Sequence, residues 1–138
     1  DIGFDCSSRN EIKRLMKLGI KGEKILYANP IKQISDIKYA AKVRVQCLVF
    51  DNEFELEKIK AYHPNCECIL RIKVDSLPSK FGADQNKAML LIKRAVEMNL
   101  NLVGICFYVG FRQKTPLYII ESIKNARILF DYARDTLG

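Results

Sequence analysis

The feature that most constrains this chain is a repeated unit, a short apolar segment followed by a stretch with helical amphipathicity. Apolar segments begin near residues 2, 24, 45, 67 and 101, so the first three intervals are 22, 21 and 22 residues. Residues 2–6 form the first segment. Ser7 and Ser8 can cap a helix whose apolar face carries Ile12, Leu15, Met16 and Leu18, with Gly19 at its end. Residues 24–29 form the second segment, broken by Pro30, and Ser35 or Asp36 starts a helix through Ile37, Tyr39, Ala40, Ala41 and Val43. Residues 45–50 follow, and Asp51-Asn52-Glu53 opens a helix containing Leu56, Ile59 and Tyr62. The fourth segment is 67–74. A loop with Pro78 and Gly82 leads to a helix around 89–98, a fifth segment at 101–109, and a last helix, 119–132, opened by Pro116.

This spacing predicts an α/β protein built as a (β/α)8 TIM-type barrel, with an open α/β sheet as the alternative. Nearly continuous apolar strands fit a parallel sheet covered by helices. A barrel of eight units needs about 250 residues, and these 138 residues supply about five units. The chain is therefore expected to be a piece of a longer protein, with strand edges left unpaired.

Composition narrows the function classes. Apolar types make up 49% and charged types 28%, which fits a globular chain rather than a disordered one. No run approaches the ~18 apolar residues of a membrane span, so none is expected. The net charge of +7 comes from 23 Lys and Arg against 16 Asp and Glu. Those basic residues are dispersed, with no Lys/Arg block and no interleaved aromatic and glycine motif. An acidic protein partner is the expectation, and nucleic acid is not. Five cysteines are an odd number, and Cys6, Cys47 and Cys106 sit in apolar runs. Cys66-Glu67-Cys68 lacks a second pair at zinc-like spacing, and His63 is the single histidine, so no metal site is expected. The cytoplasm is the expected compartment.

In parallel barrels the chemistry lies at the C-terminal ends of the strands. Those ends carry Asp5, Asn29, Asp51, Arg71 and Tyr108. Asn29 and Asp51 also read as turn or helix caps. Asp5 and Arg71 each end an apolar strand, where a charge needs a partner. There is no Gly-rich phosphate loop, Walker lysine or Ser-His-Asp set. Taken alone, the residues predict a barrel with a polar mouth.

Eight ordered strings add to this: 3–8 (GFDCSS), 27–33 (YANPIKQ), 33–41 (QISDIKYAA), 50–53 (FDNE), 70–72 (LRI), 80–82 (KFG), 103–107 (VGICF) and 126–131 (ARILFD). Together they resemble eukaryotic ornithine decarboxylase and its antizyme-inhibitor paralogues, which have the alanine-racemase-type fold. The resemblance implies a pyridoxal 5'-phosphate barrel, a separate C-terminal β domain and a homodimer in polyamine metabolism. It also places the family's first strand, its covalent cofactor lysine, its glycine-rich phosphate loop and its C-terminal site residues outside residues 1–138.

By the same resemblance Asp5 matches a cofactor-site aspartate and Glu11 a nearby acidic position. Arg71 matches an arginine in the charge network beneath the pyridine ring, and Lys80 a lysine at the mouth of the inter-subunit site. Asp5, Arg71 and Lys80 are the catalytic candidates. The family reads Phe-His-Val-Gly-Ser-Gly where this chain has Phe107-Tyr108-Val109-Gly110-Phe111-Arg112. Tyr108 keeps an aromatic face for stacking. Phe111 lacks the hydroxyl that holds the phosphate, and Arg112 offers a charge-assisted donor in its place. The loop at 74–80 is about six residues shorter than in the enzymes. Residues 34–57 correspond to the family's antizyme-binding element, and Arg9, Lys38, Tyr39 and Lys58 match positions that contact antizyme. The expectation is an antizyme-binding regulator with an impaired cofactor site. The alternative is an active ornithine-type decarboxylase with an altered pocket.

Overall fold

The structure, a computed structural model, describes residues 2–74, 79–110 and 115–137. Strand and helix alternate through five units: β1 (Phe4–Cys6) and α1 (Arg9–Lys17), β2 (Ile25–Tyr27) and α2 (Ile34–Lys42), β3 (Cys47–Phe50) and α3 (Glu53–Tyr62), β4 (Glu67–Arg71) and α4 (Gln85–Glu97), β5 (Asn101–Cys106) and α5 (Leu117–Tyr132). The strands form one parallel sheet in chain order, β1-β2-β3-β4-β5. Sequential parallel pairing, with a helix returning the chain after each strand, is the barrel arrangement and excludes the open-sheet alternative, whose strand order reverses.

Burial alternates along the strands. Cys6, Ile25, Tyr27, Leu48, Phe50, Cys68 and Leu70 join one core with Ile12, Ile37, Leu56, Ile59, Leu91 and Leu129 of the helices. Their strand neighbours Asp5, Leu26, Cys47, Ile69 and Arg71 are exposed or half-buried. The parallel sheet covered by helices that the apolar runs predict is present, with the helices on one face. The other face lines the concavity of the arc.

Local chemistry explains where the helices start. Ser8 caps α1 in a full capping box: its Oγ accepts from the Glu11 N–H, and the Glu11 carboxylate accepts from the Ser8 N–H. At α2 the expected Ser35 or Asp36 cap is not used. Gln33 is the N-cap and Asp36 lies in the first turn, where its carboxylate faces the Tyr27 hydroxyl at 3.5 Å and Arg9 at 3.7 Å. At α3 the cap is Asn52, whose Oδ1 accepts from the Glu55 N–H at 3.0 Å, so Asp51 is released for another role. Before β2, Gly22 lets the backbone pass so close to Val43 that a Cβ would lie 2.1 Å from its carbonyl oxygen.

Tyr27 is fully buried. Burial first, then the Asp36 carboxylate, pushes its phenol up to about 12. The folded pKa exceeds the unfolded value of about 10, so the neutral phenol contributes stability below about pH 10. That contribution is lost as pH rises toward about 12. Unfolding of the intact protein followed across this range should show a steeper loss for the parent than for Tyr27→Phe. Parallel pH curves for the two would contradict the assignment.

Candidate functional site

Because every strand runs the same way, all five C-terminal ends meet at one edge. There the sheet bounds a concavity of about 600 Å³ whose walls include Asp5, Leu26, Val49, Arg71, Lys80 and Tyr108. The structure thus brings together four of the residues singled out from sequence: Asp5, Arg71, Lys80 and Tyr108.

Asp5 sits in β1 opposite Leu26 of β2, on the face away from the helices. Arg71 ends β4 opposite Cys106 of β5, and its guanidinium lies 5.2 Å from the Phe81 ring centroid. Aromatic contact of this kind holds a guanidinium flat while leaving its N–H donors available. Phe81 and Lys80 belong to a segment fastened at several points. Ser79 Oγ accepts from the Phe81 N–H at 3.1 Å, and Ala83 pairs with Ile72 in an isolated parallel bridge. The Gly82 N–H donates to Asp51 Oδ2 at 2.8 Å. Gly82 has φ +95, and a Cβ there would lie 2.7 Å from the Ile72 carbonyl carbon, so the close return over β4 requires glycine. Asp51, read from sequence as a cap, is therefore the buried acceptor that holds the Lys80 segment at the mouth. Asn29 is a turn residue: its Oδ1 accepts from the Ile31 N–H at 3.1 Å.

Cys106 lines the same concavity. Burial pushes its thiol up to about 11; Arg71 opposes that rise, while Asp5 and Asp51 reinforce it. It is a protonated thiol at neutral pH, so its reaction with alkylating agents is slow and sensitive to its burial. Glu11 is not brought to the concavity, since its carboxylate caps α1. Phe111 and Arg112, and most of the shortened loop at 74–80, lie outside the described residues. Among the described residues no group of three His, Cys, Asp or Glu is placed to hold a metal ion.

The residues that the sequence resemblance matches to partner contacts lie on the helical layer. The Arg9 guanidinium and the Lys13 ammonium lie 5.0 Å and 5.7 Å from the Tyr39 ring, and the Lys38 ammonium lies 4.7 Å from the Tyr62 ring. Arg9, Lys38 and Tyr39 thus share one outer surface across α1–α3. Lys58 differs, because its ammonium is bound to Glu55 Oε2 at 2.6 Å and to the Lys32 carbonyl. Sequence reading missed Lys13, Tyr62, Phe81 and the Asp51–Gly82 bond. Each depends on a partner distant in sequence, and only the KFG string at 80–82 marked the area.

Residues 2–138 match the family model for the pyridoxal-binding domain of pyridoxal-dependent decarboxylases. The chain belongs to that family. It is 41% identical to mouse ornithine decarboxylase over 139 residues and 40% identical to antizyme inhibitor 2 of Xenopus laevis over 139 residues. Each match covers 96% of this chain and 30% of the relative. The fold superposes on the arginine decarboxylase of Paramecium bursaria Chlorella virus with a TM-score of 0.91 at 35% identity. That match covers 96% of this chain and 38% of the viral chain. The chain thus spans about a third of the length of these proteins. The sheet is accordingly part of a TIM-type barrel of the ornithine decarboxylase and antizyme inhibitor family.

Pyridoxal phosphate is the cofactor of this family. The donor set at the mouth fits the ring end of such a molecule. A carboxylate and a guanidinium can set the charge around a pyridine nitrogen, and a phenol ring offers a stacking face.

Replacing Asp51 with Ala removes the acceptor of the Gly82 N–H. The loss of a buried charged acceptor should destabilise the intact protein by about 1–3 kcal/mol. Amide exchange should rise at residues 79–83 more than elsewhere. Unchanged protection there would show that Asp51 does not hold the segment.

Proposed function

We propose that this chain is the partial cofactor-binding barrel of an ornithine-decarboxylase-like protein of polyamine metabolism, one that docks antizyme and has a weakened pyridoxal phosphate site. The supporting observation is the outer surface of α1–α3, where Arg9, Lys13 and Lys38 are braced on the rings of Tyr39 and Tyr62. Cations already ordered on rings lose less side-chain freedom on docking, and a positive surface selects an acidic partner. The similarity to an antizyme inhibitor supports the choice of partner. A cytoplasmic homodimer, with Lys80 at the inter-subunit mouth, accompanies this reading. Among the described residues no helix is long and apolar enough to cross a membrane.

Bound pyridoxal phosphate supplies the electron sink for decarboxylation. Asp5 and Arg71 would hold and polarise its ring, Tyr108 would cover one face, and Lys80 would stand at the rim. The weakening is inferred from Tyr108 in place of the histidine and Phe111 in place of the serine found in the resembled enzymes. A second reading is an active ornithine-type decarboxylase with an altered pocket. It draws on the convergence of Asp5, Arg71 and Lys80 in one concavity.

Visible absorbance of the purified intact protein separates the two. The regulatory reading expects little bound cofactor absorbance, and a strong band that borohydride bleaches would overturn it. Retention by immobilised antizyme tests the docking surface. Lys38→Ala should weaken it by roughly tenfold, a loss of about 1.4 kcal/mol. Absence of binding by the parent would remove antizyme as the partner.

A further inference from the structure

One group of charges is used neither at the mouth nor on the docking surface. Lys32 and Glu55 are both buried, and their side chains form an ion pair at 2.9 Å with 0% and 1% exposure. A buried ammonium is expensive unless all three of its N–H donors are met. Here they are: Lys32 Nζ donates to the Asn29 carbonyl at 3.0 Å, to the Val49 carbonyl at 2.6 Å and to Glu55 Oε1. The backbone is held as well. The Lys32 N–H donates to the Glu55 carboxylate at 3.2 Å, and Lys58 Nζ joins the Lys32 carbonyl to Glu55 Oε2.

The position of this group in the sheet suggests a purpose. Pairing between β2 and β3 is short, covering only Leu26 with Cys47 and Tyr27 with Leu48. Beyond Tyr27 the two chains continue toward the mouth, and there Ala28 and Val49 form part of the cavity wall. The Lys32 ammonium bonds one carbonyl from each chain in this stretch, Asn29 on one side and Val49 on the other. It stands where ladder hydrogen bonds have stopped.

We propose that Lys32 is a positioning residue of the cavity: its ammonium ties the C-terminal ends of β2 and β3 together and so fixes the wall formed by Ala28 and Val49. Glu55 holds that ammonium in place from α3, and Lys58 fixes the other oxygen of the Glu55 carboxylate. Lys32 touches no ligand in this scheme; it acts through the two carbonyls. The inference rests on the family's cofactor for one readout and on the fold alone for the other.

The test uses the intact protein, its Lys32→Met variant and Ile12→Ala, a core control on α1. Two readouts are taken at temperatures well below each melt. One is pyridoxal phosphate affinity, and the other is the alkylation rate of Cys106, which lines the same concavity, followed by peptide mass spectrometry. Lys32→Met should weaken pyridoxal phosphate binding about tenfold or more and speed Cys106 alkylation by a similar factor, because a displaced wall admits water to the half-buried thiol. Ile12→Ala should lower the melt without either change. If the parent itself binds no pyridoxal phosphate, the assumption about the cofactor fails, and the Cys106 rates still decide the role of Lys32. If Lys32→Met does not fold, Glu55→Gln replaces it; that change leaves Lys32 in place and should move both readouts in the same direction by a smaller factor. Equal affinity and equal Cys106 rates in the Lys32 or Glu55 variant and the core control would overturn the proposal.

Discussion

Parallel pairing in chain order is the constraint on which the rest of this structure depends. A parallel neighbour requires the chain to return along the outside, so every strand is followed by a helix and every C-terminal end arrives at the same edge. Polar residues far apart in sequence, such as Asp5 and Arg71, become neighbours of one concavity without any local motif. The same constraint divides the surfaces. Strand ends build the mouth, and the helices that close each unit build the outer layer where Arg9, Lys13 and Lys38 lie over aromatic rings.

Charges in this domain act in two regimes. At the outer layer they are partly solvated and contribute little to holding the fold, and the role proposed for them is to attract and orient a partner. Inside, Lys32 and Glu55 are shielded from water, and their cost is offset only because every donor finds an acceptor. Asp51 belongs to the second regime, since its bond to the Gly82 N–H carries the Lys80 segment to the mouth. The mouth therefore depends on two buried charged groups, one bracing β2 against β3 and one fastening the segment after β4.

The pattern of strands and helices was legible in the sequence because it is periodic, and the mouth residues Asp5, Arg71 and Tyr108 because strand ends in a parallel barrel share an edge. Glu55 was not legible as a buried charge. It sits between Phe54, which is largely exposed, and Leu56, which is buried, so the apolar pattern there does not mark its side. Lys32 lies in a loop, and the partner that buries it is 23 residues away. The choice between Asp51 and Asn52 as the α3 cap was likewise decided by a tertiary contact: Gly82, 31 residues on, takes the Asp51 carboxylate. Asp36 failed as a cap for a similar reason, being placed toward Tyr27 and Arg9. Local rules identify the candidates, and long-range partners select among them.

The central claim is a division of labour between a mouth built by strand ends and a docking layer built by α1–α3. Hydrogen exchange of the intact protein with and without bound antizyme tests it most directly. New protection is expected across residues 34–62 and the first turn of α1, with residues 79–82 and 106–110 unchanged. Protection confined to the mouth segments, with the outer helices unaffected, would contradict it.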